Sequence, residues 1–154
     1  MEPVRHTYIM ESGRWTGEGE YISFDQSPRE VKEIIRETSV CVRTGAIWEV
    51  RDETSFLNPP VSTCSVKTIK ENSRNPNGLT WSANGGSFGD VRGRTSLVGN
   101  KMISSWKAKK SFSGEGVFVK IDNDTYQGAA VIYEGEALMV SWTTTLTRDS
   151  DSRQ

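Results

Sequence analysis

A single histidine and two cysteines are all this sequence offers by way of soft metal ligands and strong nucleophile partners. A Ser-His-Asp or Cys-His arrangement would have to use His6, which stands in the first few residues, so hydrolytic catalysis of that kind is not expected. Cys41 and Cys64, with no clustered histidines, give neither a zinc spacing nor a disulfide framework. Each lies in a strand-like run, which predicts small, buried, reduced thiols. No apolar run is long enough to span a bilayer, and Met1-Glu2-Pro3-Val4-Arg5-His6 lacks the apolar stretch of a signal peptide, so a soluble, cytoplasmic protein is expected. An excess of one charge is missing too. Nineteen basic residues face 20 acidic ones, a net charge of −1, without the basic stripe of a nucleic-acid binder. The densest basic run, Lys107-Ala108-Lys109-Lys110, predicts a solvated strand end or turn. Asp122-Asn123-Asp124 lacks the glycine and terminal glutamate of a calcium loop and predicts a turn, and no metal site is expected.

What is present is strand pattern. In Gly13-Arg14-Trp15-Thr16-Gly17-Glu18-Gly19-Glu20-Tyr21-Ile22-Ser23-Phe24-Asp25, alternation puts Trp15, Gly17, Gly19, Tyr21 and Ser23 on one face. That face is bulky at its ends and empty in its middle. Two alternate glycines predict a sharp bend of the sheet or a close approach of another backbone. The phrase returns at Phe112-Ser113-Gly114-Glu115-Gly116-Val117-Phe118, which predicts a second bent strand.

Between and after these lie further strands. Ser27-Pro28-Arg29-Glu30 reads as a helix start and predicts one short helix over 28–33. A strand follows, with Ile34, Arg36, Thr38, Val40 and Val42 on one face. Trp48, Val50, Asp52, Thr54 and Phe56 alternate against Glu49, Arg51 and Glu53, the polar set reading as the outer face. A fourth strand spans about 62–71. Leu79, Trp81 and Ala83 share a face of the fifth, and 91–98, 101–109, 126–133 and 137–148 complete the series. Short strands at regular intervals with turn signals predict a sandwich or barrel, and up-and-down connection favours a barrel, which removes both edges. The expected architecture is all-β: an antiparallel up-and-down barrel of about ten strands (8–10). It would comprise an arm at 1–12 whose Tyr8, Ile9 and Met10 cover one end, a single barrel domain at 13–148, and a polar, disordered tail at 149–154.

Gly13-Arg14-Trp15 at the head of the first strand, with Thr145-Leu146-Thr147-Arg148 closing the last, resembles the Gly-x-Trp and basic-residue signature of the calycins, the lipocalins and fatty-acid-binding proteins. The resemblance implies that Trp15 plugs the closed end, that Gly13 permits the turn into the strand, and that Arg148 lies across the indole. The continuation Trp-x-Gly-x-Gly is similar to the opening of the nitrobindins, haem proteins on a ten-stranded version of the barrel. Haem there needs a histidine ligand, and His6 in the arm is a poor candidate, so no cofactor is expected.

Inward alternation nominates Tyr21, Arg36, Trp48, Trp81, Ser104, Trp106, Trp142 and Thr144 as ligand-binding residues, since a barrel of eight or more strands can enclose a ligand. An interior arginine is costly unless paired. Arg36 is therefore either an anion-binding group, as interior arginines are in fatty-acid-binding proteins, or the strand's register is one residue off. The expected function is binding of a small, largely hydrophobic molecule, aromatic or carboxylated. The alternatives are a small-molecule cyclase, isomerase or lyase of secondary metabolism acting by substrate confinement, and an interaction module with a solid core. A homodimer is left open.

Overall fold

The computed structural model describes residues 4–24, 31–57, 60–86 and 88–150. Ten strands follow one another: β1 Gly13–Ser23, β2 Val31–Val42, β3 Ile47–Leu57, β4 Pro60–Glu71, β5 Gly78–Gly86, β6 Gly89–Val98, β7 Lys101–Ala108, β8 Phe112–Asp122, β9 Thr125–Glu134 and β10 Ala137–Arg148. Each pairs antiparallel with its neighbours in sequence, and β1 also pairs with β10, closing the barrel. Of the short helix expected over 28–33, residues 31–33 instead begin β2, and 28–30 lie outside the described residues.

Closure depends on the empty middle of β1. A Cβ on Gly19 would stand 1.6 Å from the carbonyl oxygen of Thr143, so β10 can cross here only over a residue with no side chain. Of the echoed glycines Gly116 meets Ala130, while Gly114, like Gly93 and Gly128, lies beneath an aromatic ring from the neighbouring strand. Trp81 covers Gly93, Trp106 covers Gly114 and Phe118 covers Gly128. Alternate positions without a Cβ thus let large rings lie flat along the inner wall.

One end of the barrel is a packed core. Trp15, Val50, Ile69, Tyr126 and Leu146 are fully buried there, and Tyr8 and Ile9 of the preceding segment join them. Tyr8 and Tyr126 meet the Trp15 ring edge-on at 5.4 and 5.6 Å. The Ile9 carbonyl accepts from Trp48 Nε1 (2.7 Å) and Cys41 Sγ (3.4 Å). Arg148 lies opposite Trp15 in the β1–β10 register, its guanidinium carbon 6.0 Å from the ring centroid. A second such contact is closer: Arg43 lies 4.0 Å over Trp48.

Three expectations are corrected. Cys64 is exposed, because its strand turns Thr63, Ser65 and Lys67 inward, while Cys41 is buried as expected. Asp149 is not part of a loose tail: its amide donates to Arg14 O and its carboxylate pairs with the Arg14 guanidinium, while 151–154 lie outside the described residues. Of the two alternatives for Arg36 the structure gives the second, a register one residue off: Arg36 is not a ligand-binding residue but faces outward and is exposed, 3.5 Å from Glu18. The inward face of β2 is Ile35, Glu37, Ser39 and Cys41. Val40 and Val42 mislead because β-branched residues favour strands whether or not they are buried, and Val42 is 56% exposed.

Candidate functional site

Above the Trp15 core the barrel interior is hollow, with a cavity of about 420 Å³, within the range of small-molecule sites. Its floor is Tyr8 and Ile9. Five of the residues nominated from sequence line it: Tyr21 of β1, Trp81 of β5, Ser104 and Trp106 of β7, and Trp142 of β10. The other three do not. Arg36 is outside; Trp48, 2% exposed, belongs to the closed-end core; and Thr144, 3% exposed, is wedged beside Gly17, its hydroxyl without a partner. Gly13, Trp15 and Arg148 sit at the closed end, away from the cavity.

The rings are held in place by their neighbours. Trp81 Nε1 donates to Thr95 Oγ1 (3.1 Å), which shares a 2.7 Å hydrogen bond with Ser104 Oγ. Phe88 packs on Trp106 and Phe112, and Tyr21 packs edge-on against Phe56. These contacts fix the walls before any ligand arrives, which lowers the entropy cost of binding.

The sequence reading missed the charged residues of this cavity. Glu37 of β2, Asp52 of β3 and Lys67 of β4 come from three adjacent strands and all line it. Asp52 was legible, since it falls on the inward alternation of Trp48 and Val50; Glu37 was hidden by the register error at Arg36. Lys67 Nζ lies 4.3 Å over the Trp81 ring. Burial pushes the Glu37 carboxyl up to about 7; Asp52 adds to the effect and Lys67 opposes it. The Tyr8 phenol is raised well above its usual range, first by burial and then by Asp52 and Glu37, against a hydrogen bond with Ser39 that opposes the rise, so it stays protonated.

A pH dependence follows. The ordinary glutamate value is 4.5, so as pH rises from there the unfolded chain ionises first, and stability falls until the folded carboxyl also ionises near 7. The loss is about 3 kcal/mol. Glu37→Gln is expected to raise the thermal midpoint by several degrees at pH 8 and to change it little at pH 4.5, which paired thermal melts would show. His6 acts in the opposite sense. Burial lowers its pKa, so acidification below about 6.5 protonates the unfolded chain first and destabilises the fold.

His6 does not fit a haem site. Its Nδ1 is 2.8 Å from Tyr126 Oη and its Nε2 2.9 Å from Gly99 O, so both ring nitrogens are engaged at the closed end. No group of three or more His, Cys, Asp or Glu able to hold a metal occurs among the described residues. Asp122-Asn123-Asp124 forms the β8–β9 turn, with the Asp124 amide donating to Asp122 Oδ1. No helix among the described residues is long and apolar enough to cross a membrane.

No protein-family model matches the sequence, and no curated protein does. Solved structures do. The S-type phycobiliprotein lyase CPES from Guillardia theta superposes with a TM-score of 0.65 at 9% identity, over 91% of this chain and 89% of that one. Rv2717c from M. tuberculosis gives a TM-score of 0.65 at 11% identity, over 96% and 99%. The fold is a calycin-like barrel. At these identities the likeness extends to the fold alone. A shallower depression of about 520 Å³ lies on the outer face, around Ile22, Ile103, Val117 and Val131. Glu20, Ser105, Glu115, Ser141 and Thr143 also edge it, but it is more open to solvent than the interior, which encloses a ligand on more sides and is the better site.

Proposed function

We propose that the protein binds a small, largely apolar, ring-containing molecule inside the barrel. The observation that carries this reading is the hollow itself, walled by Trp81, Trp106 and Trp142 and floored by Tyr8. A bicyclic ligand burying roughly 300 Å² of apolar surface at ~25 cal/mol per Å² gains about 7 kcal/mol before the costs of association. Taken alone that corresponds to a Kd of about 10 μM, and the costs of association weaken it from there, so polar contacts must add to the apolar term for tighter binding. A solid-core interaction module has no use for such a space. The reading includes a cytoplasmic setting, for which two unpaired cysteines are suited.

Titration with a panel of bicyclic and tricyclic aromatics is expected to quench tryptophan emission saturably. Ala130→Phe, which fills the cavity from β9, is expected to weaken binding at least tenfold. Unchanged fluorescence across the panel would remove the proposal.

A second reading, a lyase or isomerase acting on a confined substrate, has one observation in its favour. A buried carboxyl that titrates near 7 is suited to proton transfer at neutral pH. A structural neighbour is itself a lyase. In that case Glu37→Gln abolishes turnover while a neutral ligand still binds.

A further inference from the structure

The apolar rings say what size of ligand the barrel takes, and the charges at the bottom of the cavity say which kind. Of the charged side chains that line it, three are acids, Glu37, Asp52 and the exposed Glu115, and one is a base, Lys67; Glu37, Asp52 and Lys67 come from adjacent strands and form one pole. With Glu37 ionised this pole carries a formal charge of −1. Lys67 is drawn onto the face of Trp81, and among the described residues no ion pair within 4.0 Å joins it to either carboxylate. Arg36, the one interior arginine expected from sequence, is on the outside. An anionic head group would therefore meet a net negative, partly desolvated pole. The aromatic faces of Trp106, Trp142 and Phe118 also attract positive charge.

We propose that the ligand of this cavity is an organic cation, an aromatic or ring-bearing molecule with a positively charged nitrogen, which sits among the tryptophans and directs that nitrogen at Glu37 and Asp52. This rests on the interior being the binding site and adds the charge class. Among the described residues no hydrogen bond or ion pair holds the Glu37 carboxyl, which faces the cavity beside Asp52, and the raised titration of that carboxyl fits an acid waiting for a counter-ion. The titratable groups facing it are Tyr8 from the N-terminal segment, Asp52 from β3 and Lys67 from β4, with Gly17 opposite it on β1; Tyr21 lies farther along β1, and Glu115 of β8, also in the wall, is exposed. A bound cation favours the ionised carboxylate, so binding expels a proton near neutrality and tightens as pH rises.

The test uses three probes of one shape: N-methylquinolinium, a permanent cation; methylnaphthalene, neutral; and naphthoate, an anion. Each is titrated against the full chain by tryptophan quenching at pH 6 and pH 8. The cation is expected to bind at least tenfold more tightly than the anion at pH 8. Its affinity is expected to rise about tenfold from pH 6 to pH 8, as a carboxyl titrating at about 7 requires. Glu37→Gln is expected to abolish that rise and to weaken the cation at least tenfold at pH 8 while sparing methylnaphthalene; Asp52→Asn gives an independent, smaller loss. If methylnaphthalene or naphthoate binds as tightly as the cation, or the pH profile is flat in the wild type, the cation assignment fails and the cavity reading survives. If none of the three binds, both fail together.

Discussion

Replacing Trp15 with alanine is expected to cost about 3–5 kcal/mol of stability, the range for emptying a large aromatic from a packed core. Against a typical total of about 5–15 kcal/mol this is a major fraction. The indole is fully buried and touched edge-on by Tyr8 and Tyr126, so its removal loosens the N-terminal segment and the start of β1 together. Trp15→Phe is expected to cost half of that or less. Trp15 Nε1 has no hydrogen-bond partner among the described residues, so deleting it breaks no bond there, and the phenyl keeps the ring contacts. Arg148→Met is expected to cost about 1 kcal/mol, because a guanidinium 6.0 Å from the centroid is at the outer limit of cation–π attraction. Urea unfolding of the three variants orders them Ala, then Phe, then Met at position 148. An Arg148 variant less stable than Trp15→Ala would mean that charge, and not packing, holds the closed end.

Gly19→Ala is expected to be the most damaging single-methyl substitution in the barrel. The added carbon would meet the Thr143 carbonyl oxygen at 1.6 Å, and because this is backbone, no side-chain rotation relieves it. Overpacking ordinarily costs about 1–3 kcal/mol, and a clash with main chain across the closing seam belongs at or above the top of that range. Gly45→Ala, which meets nothing within 4 Å at an exposed turn, is the matched control, expected to be neutral or stabilising by up to about 1 kcal/mol. Hydrogen exchange gives the finer reading. Gly19→Ala is expected to lose protection first along β1 and β10, and loss confined to another strand pair would place the weak seam elsewhere.

The frame of this molecule was legible because its signals are local. Trp15, Gly17 and Gly19 alternate over a few residues, and the same phrase at Gly114 and Gly116 marks a second strand of the same kind; turns at Gly99-Asn100 and Glu134-Gly135 separate strands whose periodicity is plain. Five cavity residues followed from parity alone. Parity failed on β2, where valines at outward positions competed with Ile35 and Cys41 at inward ones, and a single-residue slip exchanged Glu37 for Arg36. The polar pole of the cavity could not be read at all as a unit. Glu37, Asp52 and Lys67 meet through the registers of two strand pairs, and neither register is written in any short stretch of sequence. Trp48 was misplaced for a related reason: its inward direction is correct, but its height along the barrel, level with Ile9 and Arg43 at the closed end, depends on strand stagger.

Whether a small molecule sits in the interior of the barrel is tested most directly by a crystal structure of the chain soaked with the tightest quenching probe. Density for the probe is expected between Trp81, Trp106 and Trp142, with its charged nitrogen nearest Glu37. Density found only in the outer depression around Ile103 and Val131, or an interior filled by repacked side chains, would contradict it.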